Sequence, residues 1–380
     1  MANMPRFIAI PVAQGDAFYL KTAQGSVLVD GGRATLGFPE LFRTYVREEG
    51  VDILVATHND ADHANGVLGF MQAGLRCGEV WLPGRWGQVL RQVLRPWERV
   101  VYLLARQAAS VDEDFEASRS LLEQYAERRG HEEGPHDGEE LELDESGWPV
   151  ALIGRLEEGD DDEDVWVLAG WKRLLWPISS YWAGWPKQRL FLEAVLAARR
   201  IREIALEAFH RGVTVRWFEY DPRSAGGGYD WLRPLNGRQL MRVRPVKDEA
   251  LLWALALTVW NKESIVYWAG PGFAAGGVLF TGDSDLGGVQ LPSLRGGIVT
   301  APHHGSEANA KVYDLIGEPV IWVRSDGKHR NRPCRGFVEA QGRRFCTLCR
   351  SSGSKKQAVQ FWGRGARWVP GRGVRPCACK

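Results

Sequence analysis

Residues 51–66 read Val-Asp-Ile-Leu-Val-Ala-Thr-His-Asn-Asp-Ala-Asp-His-Ala-Asn-Gly, and this stretch decides the fold. Val51 to Ala56 is a short apolar run rich in β-branched residues, which predicts a buried strand. Four side chains that can bind a metal follow within six positions: His58, Asp60, Asp62 and His63. Imidazoles and carboxylates at a strand end suit divalent ions such as zinc or manganese. Their close alternation lets one loop face two metals about 3.5–4 Å apart, which can hold an attacking hydroxide and a leaving oxygen together.

The segment Thr57 to His63 resembles the His-x-Asp-x-Asp-His signature of the metallo-β-lactamase fold. Asp60, at a position where many members carry His, resembles the branch that contains the metallohydrolase domain of the competence protein ComEC. Four further matches to that branch lie in chain order: Gln14-Gly15-Asp16-Ala17, Leu28-Val29-Asp30-Gly31-Gly32, Leu279-Phe280-Thr281-Gly282-Asp283 and Pro302-His303-His304-Gly305-Ser306. The resemblance implies an α/β fold, the αββα metallo-β-lactamase sandwich, with a large central insertion and a basic, Cys-containing C-terminal extension.

The resemblance covers residues 1–85 and 250–333, which suggests four segments. Residues 1–85 and 246–333 are the two halves of the metallo-β-lactamase fold, 86–245 are an insertion or cap with an acidic loop, and 334–380 are a basic Cys-rich extension. Strands are expected at Phe7–Val12, Phe18–Lys21, Ser26–Val29, Val51–Ala56, Val80–Leu82, Leu251–Val259, Ile265–Trp268, Gly276–Phe280 and Gly297–Ala301. Helices are expected at Phe38–Glu48, Gly66–Gly74, Val101–Tyr125 and Leu190–Phe209.

The resemblance also implies roles for residues outside the first cluster. Asp283 would bridge both metals, and at least one of His303 and His304 would be a metal ligand. The other histidine would line the substrate side as an acid or hydrogen-bond donor. Asp30 would support the metal loop by orienting a ligand histidine, although it also fits a turn before glycines. The predicted metal ligands are His58, Asp60, Asp62, His63, Asp283, His303 and His304, and the predicted catalytic residues are Asp62, His304 and Asp283.

Two positions depart from the family's pattern. Many relatives carry a histidine ligand midway between the first cluster and the bridging aspartate, but His131, His136 and His210 all lack the strand-end context for that role. In the ComEC-like branch a polar segment precedes the strand before the bridging aspartate, and residues 261–264 occupy that place here. A site with more oxygen ligands and fewer imidazoles favours manganese over zinc. The family's later His-Pro is replaced by Arg332-Pro333. His329 or Arg332 could hold a phosphoryl oxygen there, unless 324–333 is only a basic surface loop.

A net charge of +1 conceals a strong asymmetry along the chain. Residues 132–164 carry fifteen acidic residues and one Arg, a net of −14, and predict a loop. Residues 324–380 carry fifteen Lys or Arg and two acids, a net of +13, which suits nucleic acid as a partner. The acidic loop either folds onto the basic tail and blocks it or is solvated independently. A protein partner is not identifiable from the sequence.

The tail also holds two close cysteine pairs, which fit a structural zinc: Cys346, Cys349, Cys377 and Cys379. Cys334 is a substitute ligand, and redox pairs or inert thiols are the alternatives. Trp362 and Trp368 in the same segment either stack on bases or belong to a local core.

Composition places the chain among soluble globular proteins, with 44% hydrophobic and 25% charged residues. The longest largely apolar run, 250–260, is far shorter than the ~20 residues of a membrane span. The first residues show no charged region followed by an apolar core, so no signal peptide is expected. We therefore expect a cytoplasmic protein without membrane contact, unlike ComEC, which joins its hydrolase to a membrane channel.

These observations predict a metal-dependent hydrolase with two divalent ions, either Zn or Mn. The expected reaction is that of a two-metal phosphodiesterase or nuclease with a metal-bound hydroxide. One alternative is a hydrolase of small phosphodiesters or other esters on the same fold. Another is a non-catalytic module that binds nucleic acid or a partner and carries a vestigial metal site.

Overall fold

A computed structural model describes residues 4–111, 139–158, 186–259, 263–270, 275–325, 332–349 and 356–379. The chain divides into two compact units. The first unit contains Met1–Pro83, Val215–Leu240 and Asn261–Lys380, and the second contains Gly84–Thr214 and Met241–Trp260. Within the described residues, every helix is too short or too polar to cross a lipid bilayer.

The first unit is built on two mixed β-sheets. The larger sheet has nine strands in the order β17-β16-β1-β2-β3-β4-β5-β7-β9, and the smaller has six in the order β15-β14-β13-β12-β11-β8. The strands of the larger sheet are β1 (Arg6–Ala9), β2 (Phe18–Lys21), β3 (Ser26–Val29), β4 (Gly50–Val55), β5 (Arg76–Pro83), β7 (Thr214–Tyr220), β9 (Gly237–Gln239), β16 (Val359–Arg364) and β17 (Arg367–Pro370). Those of the smaller sheet are β8 (Leu232–Pro234), β11 (Tyr267–Ala269), β12 (Val278–Phe280), β13 (Ile298–Thr300), β14 (Val320–Arg324) and β15 (Gly342–Cys346).

The two sheets face each other across one hydrophobic core. Phe7 of β1 packs on Phe280 of β12 with ring centroids 6.4 Å apart. Phe345 of β15 meets Phe361 of β16 edge to face at 4.9 Å. Side chains alternate along β14, so that Ile321 and Val323 enter this core while Val320 and Trp322 enter another on the outer face. Strands buried on both faces are apolar throughout, which explains why these short runs lack a polar alternation.

Helices cover the outer faces of the first unit. Helices α1 (Phe38–Tyr45) and α2 (Ala61–Gln72) lie on the larger sheet, where Phe42 of α1 contacts Tyr19 of β2 and Phe70 of α2. The short helices Lys311–Leu315 and Arg335–Glu339 contribute Tyr313 and Phe337, whose rings contact each other. Tyr313 also packs on Trp322 of β14, on the outer face of the smaller sheet. The order of layers is helix, sheet, sheet, helix, and the predicted fold class is confirmed.

The second unit is mainly helical. Its elements are α3 (Gly84–Val93), α4 (Trp97–Ala109), the two-stranded sheet of β6 (Leu141–Glu142) and β10 (Arg242–Val243), a 3₁₀ turn at Val150–Leu152, and the helices Ile153–Glu158, Pro186–His210 and Leu251–Thr258. The long helix 186–210 confirms the predicted helix 190–209. Its Arg202 is buried and donates to the carbonyl oxygens of Val93 and Arg95, both at 2.8 Å. These bonds tie the helix to the C-terminal end of α3.

Three predicted elements differ from the structure. The expected strand 251–259 is a helix at Leu251–Thr258. A continuous apolar run has no periodicity that separates strand from helix, and its Leu and Ala residues are strong helix formers. Helix α2 begins at Ala61 rather than Gly66, so the metal motif itself opens the helix. Helix α4 ends at Ala109, and the rest of the predicted helix 101–125 lies mostly outside the described residues.

The expectation of a loop over 132–164 is wrong for its described part, 139–158. Trp148 and Leu156 in this segment are buried. Glu140 forms ion pairs with Arg242 and Arg244, so this acidic side chain is neutralised within its own unit. Spaced apolar residues here bury enough surface to order a chain whose overall composition is acidic. The flanking stretches 132–138 and 159–164 lie outside the described residues.

Candidate metal centre

Three strand ends of the first unit supply the candidate ligands. His58 and Asp60 follow β4, and the chain then turns directly into α2, which carries Asp62 and His63 in its first turn. Asp283 follows β12, and the pair at 303–304 follows the neighbouring parallel strand β13. Because β12 and β13 run parallel, their carboxyl ends meet at one edge, and the side chains that follow them converge.

Asp283 lies in the middle of the cluster, with its two oxygens facing different histidines. Its Oδ1 lies 3.1 Å from Nε2 of His63 and 3.9 Å from Nε2 of His304. Its Oδ2 lies 3.7 Å from Nε2 of His58 and 3.6 Å from Nε2 of His303. One buried carboxylate therefore separates two groups of imidazole nitrogens, as a ligand that bridges two metals would.

Each group also contains a second carboxylate. Asp60 Oδ2 lies 3.8 Å from Nε2 of His58, and Asp62 Oδ2 lies 3.4 Å from Nε2 of His304. We call the first set the His58 group and the second the His63 group. The His58 group consists of His58, Asp60, His303 and Asp283 Oδ2, and the His63 group consists of Asp62, His63, His304 and Asp283 Oδ1. All seven predicted ligands thus lie in one cluster, and both histidines of the 303–304 pair point into it.

The buried polar atoms of the cluster fit a metal. Among the described residues, the Nε2 atoms of His58, His63 and His304 and the Oδ1 of Asp283 are buried without a hydrogen-bond partner. A buried polar atom without a partner costs free energy, about 1–3 kcal/mol for each one. A divalent cation would satisfy these atoms at once, because imidazole nitrogens and carboxylate oxygens are ligands of zinc and manganese.

Neighbouring oxygens fix the orientation of the three most buried imidazole rings. The Nδ1 of His63 lies 2.7 Å from Oδ2 of Asp30, and the Nδ1 of His304 lies 2.9 Å from Oδ1 of Asp16. The Nδ1 of His58 lies 3.0 Å from the hydroxyl of Thr57. With Nδ1 held in this way, each ring presents Nε2 to the centre of the cluster. The contact between Asp30 and His63 supports the orienting role predicted for Asp30.

Two polar residues of the centre were missed in the sequence. Asp16 belongs to the motif Gln14-Gly15-Asp16-Ala17, and its carboxylate directly after a turn glycine is the sequence signal for its role. Ser264 lies in the polar segment 261–264, and only this position in the chain pointed to a role for it. Its hydroxyl accepts the backbone N–H of Asp283 at 3.1 Å and lies 3.4 Å from Nδ1 of His58. Serine therefore positions two candidate ligands here.

The backbone around the cluster adopts left-handed conformations at non-glycine residues. The φ angles are 59° at Asp30, 46° at His303 and 54° at His304. Such angles are strained for residues with a Cβ and persist at functional positions. Successive residues of an extended strand point to opposite faces, so the left-handed turn explains how two adjacent histidines both point inward.

Charge within the cluster is strongly coupled. Burial alone would lower the pKa of His304, but the carboxylates of Asp16 and Asp283 outweigh burial and raise this pKa to about 10. Burial would raise the pKa of Asp62, but the adjacent imidazole of His304 and the charge on His63 hold this pKa well below its usual range. Burial would also raise the pKa of Asp283, but the charges on His63 and His304 outweigh it and hold this pKa well below its usual range. Asp62 and Asp283 are therefore ionised at neutral pH.

The sequence departs from the family's pattern at two positions, and the residues considered for those positions lie in different parts of the chain. Arg332 lies near enough to the centre for its positive charge to act on His303. Burial and this charge lower the pKa of His303, and together they outweigh the opposite effect of the Asp283 carboxylate. His329, His131 and His136 lie outside the described residues. His210 belongs to the second unit, where its Nε2 lies 2.8 Å from the carbonyl oxygen of Leu156.

A second cluster of ligand-type side chains contains the cysteines of the tail. Cys346, Cys377 and Cys379 lie together, and Sγ of Cys349 is 3.4 Å from Sγ of Cys379. Cys334, the predicted substitute, is engaged elsewhere because its Sγ accepts the N–H of Phe337 at the start of the helix 335–339.

Comparison with known protein families supports the assignment of the first unit. Residues 10–75 match the model of the metallo-beta-lactamase superfamily. The chain contains a metallo-β-lactamase superfamily domain. No curated protein matches the chain. The matched stretch of the metallo-β-lactamase domain holds Asp16, Asp30 and the ligands from His58 to His63, while Asp283 and the 303–304 pair lie beyond it. The buried His/Asp cluster is the metal-site candidate of a metallo-β-lactamase superfamily hydrolase.

Proposed function

We propose that the protein is a two-metal phosphodiesterase that cleaves nucleic acid. The observation that carries this proposal is the position of Asp283, whose two oxygens each face a separate group of buried histidine nitrogens. Two-metal centres suit in-line displacement at phosphorus, because charge develops on both the attacking and the leaving oxygen.

Two bound divalent cations would lower the pKa of a bound water and neutralise the charge that develops on the leaving oxygen. The protein's own residues define where this occurs. Asp283 would hold both cations, while Asp30 and Asp16 keep His63 and His304 in fixed orientations. His303 is the most exposed of the four histidines, with 20% of its side chain accessible, so it is the one that a substrate would meet. Arg332, whose positive charge acts on His303, would bind a phosphoryl oxygen.

Exposed basic residues of the same unit support a polyanionic substrate. They are Arg343, Lys356, Arg364, Arg367, Arg372 and Arg375. Cationic side chains bind the phosphate backbone without regard to sequence. The proposed base stacking by Trp368 is unsupported, because this residue is buried and its Nε1 donates to the carbonyl oxygen of Gly276 at 3.0 Å. Trp362 is half-buried under the guanidinium of Arg6.

We further propose that the domain belongs to the ComEC-like branch and prefers manganese over zinc. Support for the branch comes from Asp60 in place of a histidine and from the ordered motifs that end at Asp283 and Ser306. Support for manganese comes from Asp60, Asp62 and Asp283, since oxygen ligands shift preference away from zinc. Measuring bound metal by mass spectrometry, together with activity after loading each metal, tests both choices.

The decisive experiment is an activity assay with paired aspartate variants. Purified protein is loaded with manganese or zinc and incubated with single- and double-stranded DNA, with RNA and with a small chromogenic phosphodiester. We expect cleavage of nucleic acid that Asp62→Ala and Asp283→Ala each reduce by at least 10³-fold, as expected for loss of a metal-centred step worth about 4 kcal/mol or more. Asp285→Asn is the matched control, because this exposed turn residue accepts the N–H of Gly287 at 2.9 Å and is not one of the candidate ligands.

The same assay separates the alternatives. Cleavage of the small diester alone would support a small-molecule phosphodiesterase and refute the nucleic-acid substrate. Absence of bound transition metal at the His/Asp cluster, with no activity on any substrate, would support a vestigial centre and refute the hydrolase.

A further inference from the structure

The four tail cysteines form a compact group at the edge of the smaller sheet. Cys346 ends β15, and Cys349 lies in the loop that follows. The returning C-terminal segment is held beside them, because the N–H of Cys377 donates to the carbonyl oxygen of Arg344 at 2.7 Å. The Sγ of Cys377 lies 3.0 Å from that of Cys346 and 4.0 Å from that of Cys349, and Cys379 lies 3.4 Å from Cys349.

These spacings match a tetrahedral metal better than disulfides. All six cysteines lie in the described part of the chain, and none of them forms a disulfide. A disulfide requires sulfur atoms about 2.05 Å apart, which is much shorter than any of these separations. Zinc–sulfur bonds of about 2.3 Å in a tetrahedron place the sulfurs about 3.8 Å apart, which lies within the 3.0–4.0 Å range of the three spacings.

Two backbone N–H groups point at sulfur atoms of the cluster. The N–H of Ala378 donates to Sγ of Cys349 at 3.1 Å, and the N–H of Cys379 lies 3.3 Å from Sγ of Cys377. Hydrogen bonds to a charged acceptor stabilise the ionised form, which is the form that binds a metal. Gln357 fastens the surrounding loops, because its side chain bonds to the backbone of Cys346 and Arg375.

We propose that Cys346, Cys349, Cys377 and Cys379 bind one structural Zn²⁺ that fastens the C-terminal segment to β15. Four thiolates leave no open coordination position, so this ion holds structure and takes no part in hydrolysis. The proposal is independent of the substrate of the His/Asp cluster, since it rests on a separate set of side chains.

One buried arginine connects the loop between Cys346 and Cys349 to the candidate metal centre. Arg324 Nη2 donates to the carbonyl oxygen of Leu348, between the first two cysteines, at 2.9 Å. Its Nη1 lies 3.5 Å from the carbonyl oxygen of His304. The N–H of Thr347 donates back to the carbonyl oxygen of Arg324 at 3.0 Å. Zinc in the cysteine cluster would therefore fix the loop 346–349. Through Arg324, that loop would in turn stabilise the left-handed turn at His304.

Metal analysis of a variant without the hydrolytic centre tests the proposal. The full-length double variant Asp62→Ala/Asp283→Ala is dialysed against EDTA, and its zinc is counted by mass spectrometry. We expect one zinc per chain to remain and to be released when a mercurial reagent titrates the thiols. Cobalt introduced in place of zinc should give the near-ultraviolet charge-transfer bands of thiolate ligation. The proposal would be overturned if the variant retained no metal and all its cysteines could be titrated freely. It would also be overturned if the intact mass were lower by two hydrogens per disulfide, because the cysteines would then be oxidised.

Cysteine variants supply the matched comparison. Cys379→Ser should lose the tightly held zinc and the cobalt–thiolate bands, whereas Cys77→Ser should keep both, because Cys77 lies in β5 away from the cluster. Equal zinc retention by the two variants would refute ligation by Cys379. If Cys379→Ser fails to fold, the metal count and cobalt spectrum of the double aspartate variant decide the question.

Hydrogen exchange tests the link through Arg324. Removal of the cysteine-bound zinc should increase exchange in 342–349 and 374–379 and, through Arg324, in 303–306, while α1 stays unchanged. Unchanged exchange in 303–306 would show that Arg324 holds the histidine turn without help from the zinc.

Discussion

Each buried imidazole of the metal centre is held at one nitrogen and left open at the other. Asp30 and Asp16 face the Nδ1 atoms of His63 and His304, and the open Nε2 atoms point towards Asp283. These contacts set the position of each candidate ligand before a metal binds. Pre-positioned ligands bind more tightly, because less conformational freedom is lost on binding.

Replacement of Asp30 by Asn should weaken metal binding without removing a ligand. The amide of Asn cannot accept from Nδ1 of His63 and from Thr57 as the carboxylate does, so the ring of His63 loses its fixed orientation. We expect metal affinity to fall about 10–100-fold, measured by competition with a chromogenic chelator.

Asp52→Asn is the control for this prediction. Asp52 also binds a neighbouring strand through its carboxylate, which accepts the N–H and hydroxyl of Ser26 at 2.7 and 2.8 Å. It touches no ligand of the centre, so metal affinity should stay at the wild-type value. Equal affinities for the Asp30 and Asp52 variants would show that Asp30 does not orient His63.

Gly15 allows close contact between the first loop and the start of α2. Its φ is 98°, and a Cβ added there would lie 1.6 Å from the carbonyl oxygen of Asp62. Gly15→Ala should therefore lower the free energy of unfolding by more than the about 1–3 kcal/mol of a strained φ alone. Gly74→Ala is the matched control, with φ 76° and open space around the added atom. Thermal unfolding of both variants gives the comparison, and equal losses would exclude the clash.

At the scale of elements, the candidate ligands of the first unit meet at the ends of β4, β12 and β13. Parallel pairing of β12 with β13 places Asp283 beside the histidine turn. The nine-stranded sheet in turn continues beyond β5 into β7, which comes from a later part of the chain. A cross-strand polar cluster stabilises that junction.

This cluster centres on Glu79 of β5. Its carboxylate accepts from Nε and Nη2 of Arg216 on β7 at 2.8 and 2.9 Å and from the hydroxyl of Tyr229 at 2.5 Å. Arg216 also lies over the ring of Tyr229 at 4.6 Å. Burial would raise the pKa of Glu79, but the hydrogen bonds from Arg216, Trp81 and Tyr229 outweigh it and lower this pKa.

Stability should therefore depend on the charge of Glu79. The pKa of Glu79 is lower in the folded chain than its value of 4.5 in the unfolded chain. Its ionised carboxylate therefore stabilises the fold at pH values above 4.5, and this stabilisation is lost as the pH falls through the pKa of the folded state. We expect Glu79→Gln to reduce the free energy of unfolding by about 1 kcal/mol at pH 7, allowing for solvent screening.

Urea titrations of wild type and Glu79→Gln at pH 7 and at pH 3 test this expectation. The difference between them should shrink at pH 3. Glu49→Gln is the control, because its pair with Arg43 is exposed and its loss should not change stability measurably. A difference for Glu79→Gln that stays constant with pH would show that packing, rather than charge, is responsible.

At the scale of the whole molecule, charge is divided between the two units. The described acidic segment of the second unit pairs locally, as Glu139 does with Arg91 and Glu140 with Arg242. The first unit carries the exposed arginines of β16 and β17 together with the metal centre. The proposal that the acidic segment blocks the basic tail stays a prediction for the acids at 159–164, and deletion of 132–164 would also remove the buried Trp148.

The exposed arginines of the β16–β17 hairpin should contribute to nucleic-acid binding. Arg364 and Arg367 lie opposite each other in the hairpin register and both are exposed. Arg364→Gln/Arg367→Gln should weaken binding on DNA of any sequence and reduce the salt slope, log Kd against log salt concentration, by about 2. Fluorescence anisotropy over a salt series measures both quantities.

Arg335→Gln is the control for the hairpin, since this exposed guanidinium is already paired with Glu339. It should leave the salt slope nearly unchanged. Salt slopes that are equal for the hairpin variant and wild type would show that nucleic acid, if bound, contacts another surface.

The sequence by itself indicated the layered fold and the candidate metal ligands, because strand ends followed by His and Asp are local patterns with few other uses. It also indicated the cysteine pairs and the orienting role of Asp30. Only the tertiary structure decided that Asp283 faces two groups of histidines, that Asp16 and Ser264 serve the centre, and that 251–258 is helical. These facts depend on contacts between residues far apart in the chain and, at 303–304, on left-handed backbone angles that no local propensity predicts.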